Sequence, residues 1–81
     1  MNINQPKVFA DFHNADYKGI LRLNCTGTIS DLAHQQVLLQ EGKNLMLYSE
    51  DVEVGGVVEY SAEESIWVAF IDWEKIRQQG N

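Results

Sequence analysis

Two sets of side chains in this sequence are of types that could do chemistry. The first is Asp11-Phe12-His13-Asn14-Ala15-Asp16-Tyr17-Lys18-Gly19, which crowds carboxylate, amide and imidazole groups into one short stretch. A Ca²⁺ loop needs oxygen ligands at alternate positions around a tight turn and a bidentate glutamate further on. Here the order is Asp11, Asn14, Asp16, the glycine comes late, and no glutamate follows at the required distance. Asn and Asp also form ordinary hairpin turns, because their side chains bond nearby backbone. Turn formation is therefore the expected role of residues 11–16, with a small-ligand or weak metal site as the alternative. The second set is Cys25, His13 and His34. A catalytic cysteine needs a base within hydrogen-bond reach of the thiol. Cys25 shares its alternation phase with Leu21 and Leu23, which predicts a buried thiol acting as a small hydrophobe. His34 is expected on the solvated side of a helix. No nucleophile elbow, H-E-x-x-H pair or phosphate-cradling glycine loop occurs. These residues predict a protein that is not an enzyme and takes no cofactor.

The remaining chemistry is electrostatic. Up to Lys43 the acids Asp11, Asp16, Asp31 and Glu41 are balanced by Lys7, Lys18, Arg22 and Lys43. After it, Glu50, Asp51, Glu53, Glu59, Glu63, Glu64, Asp72 and Glu74 face only Lys75 and Arg77, so the net charge of −6 belongs to the second half. Such a field repels phosphate and attracts cations. Nucleic acid is disfavoured as a partner, since its affinity comes from phosphate neutralisation by Lys and Arg. An exposed aromatic rimmed by carboxylates suits a basic segment of another protein. The candidate docking residues are Tyr48, Glu50, Asp51, Glu53, Glu59 and Trp67. If Val68 and Phe70 point inward, Trp67 is half exposed beside the acidic loops; otherwise it packs beneath the short helix. Ordinary solubility is the alternative explanation of the acids.

The elements that must hold these residues follow from periodicity. Lys7–Phe12 and Gly19–Cys25 alternate apolar and polar positions, and the short polar loop between them predicts a hairpin. Over Thr28–Val37 the period changes: Thr28 and Asp31 resemble a capping box, and Ile29, Leu32, Ala33 and Gln36 fall on one side of a helix at about 29–36. Leu45–Tyr48 is a strand, and Ser49-Glu50-Asp51 a turn. Val52–Tyr60 alternates through Gly55-Gly56, with Val52, Val54, Gly56, Val58 and Tyr60 inward. The glycine pair therefore reads as a bend within one strand, the alternative being close approach of a ligand to the backbone. Ser61–Ser65 is a hairpin loop, and Ile66–Ile71, apolar on both faces, a covered central strand. Asp72 can cap a helical turn at about 73–78 that ends near Gly80.

Five short strands with short connections predict a mainly β, single-domain chain over 1–81. The expected form is a small antiparallel SH3-like barrel or meander, with an OB-like barrel as the alternative. Asp11–Asp16, Gly19–Leu23, Gly27-Thr28, Asp31-Leu32, Glu41-Gly42, Leu47-Tyr48 and Trp67–Trp73 together resemble a group of short bacterial proteins of unknown function. That resemblance implies no activity, cofactor or site residue, and the likeness to SH3-like barrels is architectural only. The single cysteine has no internal disulfide partner, no apolar run approaches a membrane span, and no signal-peptide pattern opens the chain. The expectation is a cytoplasmic interaction or regulatory module that binds a protein with a basic surface and does not engage a membrane.

Overall fold

The computed structural model describes residues 6–78. In chain order the elements are β1 (Lys7–Phe9), β2 (Leu21–Arg22), α1 (Thr26–Gln35), β3 (Asn44–Tyr48), β4 (Val52–Ser61), β5 (Ile66–Ile71), a 3₁₀ turn (Trp73–Lys75) and β6 (Arg77–Gln78). The chain is mainly β.

β4 organises the sheet. It runs unbroken through Gly55-Gly56, as the persistent alternation requires. Val54, Gly56 and Val58 are buried on one side, while Gly55, Val57 and Glu59 are exposed on the other. Gly56 has a steric reason to lack a side chain, because a Cβ there would lie 3.0 Å from both Ile71 and Leu47. β3 pairs with β4 from Asn44↔Val57 to Tyr48↔Glu53, and β5 pairs with it from Gly56↔Ile71 to Ser61↔Ile66. The core cluster joins Val8, Ala10, Leu21, Leu23, Leu45, Leu47, Val58 and Ala69.

Two expectations about the strand neighbours need correction. The sheet is not antiparallel throughout, since β1 lies parallel to β3 (Lys7↔Met46, Val8↔Leu47, Phe9↔Tyr48). The sheet is also open: its strand order is β1-β3-β4-β5-β2, with β6 paired to β4 off that path. Among the described residues no ladder joins β1 to β2, so neither the predicted hairpin nor a closed barrel forms there. Residues 11–19 instead carry the chain across one end of the core, and β2 pairs antiparallel with β5 (Leu21↔Ala69, Arg22↔Val68). Alternation dictates which side chains are buried, and Val8 is buried beside Leu47 as well as it would be beside Leu21.

Helix α1 also differs from its expected form. It starts at Thr26 with Cys25 at the N-cap, and it ends at Gln36, whose φ of 57° makes a left-handed cap. The expected apolar stripe is not its docking face: Ile29 is 55% exposed, Ala33 is exposed, and Leu32 alone of the stripe packs on the core. Polar groups make the contact instead. The Thr28 hydroxyl donates to the Phe9 carbonyl (2.7 Å), the Phe9 amide donates to Asp31 (2.9 Å), and the Gln35 amide donates to the Lys7 carbonyl (2.7 Å). The residues that resemble a cap thus satisfy the outer edge of β1, where a further strand would otherwise pair. At the other end of the chain, the Asp72 carboxylate accepts from the Glu74 amide as expected (3.0 Å), but the turn covers only Trp73–Lys75 before β6 begins. Gly80, its expected terminus, lies outside the described residues.

Candidate functional site

The candidate docking residues fall into separate places: Tyr48, Glu50, Asp51 and Glu53 gather at the hairpin between β3 and β4, while Glu59 and Trp67 lie apart from them and on opposite faces of the sheet. Tyr48 is half-buried: its hydroxyl donates to Asp31 (3.0 Å), its ring meets Phe9 edge-on at 5.8 Å, and the Lys7 ammonium lies 5.7 Å from its centre. The hydrogen bond to Asp31 raises the Tyr48 pKa, with burial adding to the effect. Glu53, its cross-strand neighbour, pairs with Lys7 (3.3 Å) and Arg77 (3.5 Å), and the hydrogen bond from Lys7 holds its carboxyl below the usual glutamate range. Glu50 and Asp51 are exposed in the turn between β3 and β4. Glu59 is exposed on β4, six residues and therefore roughly 20 Å from Glu53 along the strand. Trp67 pairs with Tyr60, and the two rings meet edge-on at 5.2 Å. Trp67 shares the inward phase of Ala69 and packs against the core cluster.

The alternation of β5 is therefore the reverse of the one that exposes Trp67. Val68 and Phe70 point outward, and Phe70 is 43% exposed. Its cross-strand partner Val57 is 40% exposed. Beside this pair, Glu59, Val68 and Arg22 form a row across β4, β5 and β2. Val68 is buried at the foot of a groove of about 300 Å³, walled by Phe70, Tyr60 and Tyr17 and rimmed by Asp16, Lys18, Glu59 and Glu63. Arg22 holds Glu64 through two 2.9 Å hydrogen bonds. That pair lowers the Glu64 pKa and raises that of Arg22. Asp16 is held below its usual range chiefly by the hydrogen bond from the Ile20 amide. Glu59 and Glu63 belong to none of the ion pairs among the described residues. The arrangement offers an apolar floor with two uncompensated carboxylates at its rim, suited to an apolar side chain flanked by cations.

Val57 and Phe70 escaped the sequence reading, although a signal was present. Ile66–Ile71 is apolar on both faces, and one short helix cannot cover the second face of a sheet while also sealing its edge.

Residues 11–16 are bonded as a turn. Asp11 accepts from the His13 amide (3.0 Å), and Asp16 accepts from the amides of Lys18 (2.8 Å) and Ile20 (3.0 Å). The Asn14 side chain donates to Asn24 (2.7 Å). Cys25 is half-buried, its Sγ 3.0 Å from the Thr28 hydroxyl. His34 is exposed, with its ring Nδ1 3.3 Å from the Ser30 carbonyl. Among the described residues no three His, Cys, Asp or Glu side chains group as metal ligands, and no helix is long and apolar enough to cross a membrane. Compared with protein-family models, curated proteins and solved structures, the chain matches none.

Proposed function

We propose that the protein is a non-catalytic interaction module that docks a basic, apolar-bearing segment of another protein on the outward face of β4, β5 and β2. The observation that carries this reading is the exposed cross-strand pair Val57–Phe70 beside the Val68 groove, at whose rim Glu59 and Glu63 belong to no ion pair among the described residues. Exposed apolar surface bounded by charge is costly to leave in water and marks interaction sites. The carboxylates select cations and repel phosphate, which favours a protein partner over nucleic acid. Glu59 is the contact carried over from the charge pattern. Glu53 and Tyr48 act as structural residues, because their polar groups already have partners in the fold.

The test is an NMR titration of the labelled protein with a lysine-rich peptide carrying one phenylalanine. The expected result is amide shifts concentrated at Val57, Glu59, Val68 and Phe70, lost at about 0.5 M salt, where exposed charges are screened. The double reversal Glu59→Lys/Glu63→Lys should remove them. Equal binding of an all-lysine peptide, or shifts spread over every acidic residue, would show a response to net charge alone.

A further inference from the structure

Gly55 has no structural reason to be glycine. A Cβ built there meets no heavy atom of the described residues within 4 Å, in contrast to the crowded Gly56. The described glycines with left-handed φ are Gly19 and Gly42, so Gly55 holds extended backbone that any residue adopts. A glycine within a strand costs stability and leaves nothing to pack, and often marks close approach of another backbone. Gly55 shares the outward phase of Val57 and Glu59 and pairs with Met46. Above it lies an open depression of about 630 Å³, bounded by Met46 and Ile76, by the acids Glu53 and Glu74 and by the cations Lys75 and Arg77, where the chain leaves β5 and returns as β6. Gly55, Val57 and Glu59 therefore follow one another on the outward face of β4, with Phe70 of β5 beside Val57.

We infer that Gly55 is a binding determinant, the point at which the backbone of a basic amphipathic helix from the partner descends onto the sheet. This rests on the docking face proposed above and names the form of its occupant. A strand-like partner needs an open sheet edge; β1 and β2, which end the main path of the sheet, are occupied, and β6 offers only Arg77 and Gln78. The edge of β1 is bonded by Thr28, Asp31 and Gln35, and that of β2 by residues 14 and 15, the Arg22 amide donating to the Asn14 carbonyl (2.9 Å). The partner must then lie on the face, where a helix can bury a stripe of side chains. From Gly55 to Glu59 is about 13 Å along the strand, or about nine residues of helix. A helix of about three turns thus places an apolar stripe over Gly55 and Val57 and its cations beside Glu59 and Glu63. Charge complementarity selects this occupant over a second copy of the same acidic chain.

The experiment uses the full chain and a fluorescein-labelled amphipathic lysine/leucine peptide of about fourteen residues, read by anisotropy. Gly55→Thr introduces a strand-favouring residue into open space, so the melting temperature should hold or rise by about 3 °C, while peptide affinity falls about tenfold or more. A lower melting temperature would assign the glycine to the fold and overturn the inference, as would unchanged affinity. A proline-interrupted peptide that binds as tightly would refute the helix and leave the docking face standing. Failure of the peptide to bind at all, or indifference to Glu59→Lys/Glu63→Lys, would remove the docking face itself. Self-association of the chain that Gly55→Thr abolishes would make a second copy the occupant, contrary to the inference.

Discussion

Asp31 joins helix to sheet, its Oδ2 accepting from the Phe9 amide at 2.9 Å and from the Tyr48 hydroxyl at 3.0 Å. Asp31→Asn keeps the volume but exchanges a charged acceptor for a neutral one. Chemical denaturation should show a loss of about 1.5–3 kcal/mol, the range for hydrogen bonds to charged groups. Little or no loss would mean that the helix is held by its other contacts. Glu53 lends itself to a different measurement. With its pKa depressed by Lys7 and, secondarily, Arg77, the folded chain binds that proton less readily than the unfolded chain does. The stabilisation is therefore complete above the carboxylate range and is lost as pH falls through it. Melting temperature plotted against pH should fall less steeply on the acid side for Glu53→Gln than for the native chain. Parallel curves would show that the ion pairs contribute nothing to folding.

β4 is the element most directly readable from sequence, because its alternation runs from Val52 to Tyr60 and one phase of it is valine-rich. Val58 is fully buried and Val57 is 40% exposed. Val58→Asp should unfold the domain, since an unpaired buried charge costs several kcal/mol against a total stability of about 5–15. Val57→Asp should retain a cooperative thermal transition. Equal tolerance, read by circular dichroism, would break the assigned phase. The same alternation could not orient β5, where Ile66–Ile71 is apolar in both phases and Trp67 fits either side. The helix was legible in existence and not in docking. Its apolar periodicity picked out Ile29 and Ala33, whereas Thr28, Asp31 and Gln35 carry the contact through hydrogen bonds that hydropathy does not register.

The molecule as a whole depends on a sealed edge. Parallel pairing with β3 places β1 at the rim of the sheet, and α1 covers it with three polar side chains. Thr28→Val/Asp31→Leu/Gln35→Leu keeps bulk and removes the three side-chain partners, leaving the Phe9 amide and the Phe9 and Lys7 carbonyls unbonded at that edge. The variant should self-associate through β1, with sedimentation velocity showing concentration-dependent growth beyond the native species. A variant that matches the native chain at every concentration would mean that the edge is protected by other means.

Residue order alone established the mainly β character, the unbroken passage through Gly55-Gly56, the inward phase of β4 and the acidic second half. Each of these is set by residue type or by spacing along one short stretch of backbone, where successive side chains must point to opposite sides. Which strands lie side by side, that β1 runs parallel to β3, that the sheet stays open, and that Phe70 rather than Trp67 faces outward were decided only in three dimensions. These outcomes turn on competition between distant segments for the same buried surface and the same backbone hydrogen bonds, and that competition leaves no periodic trace in any one segment.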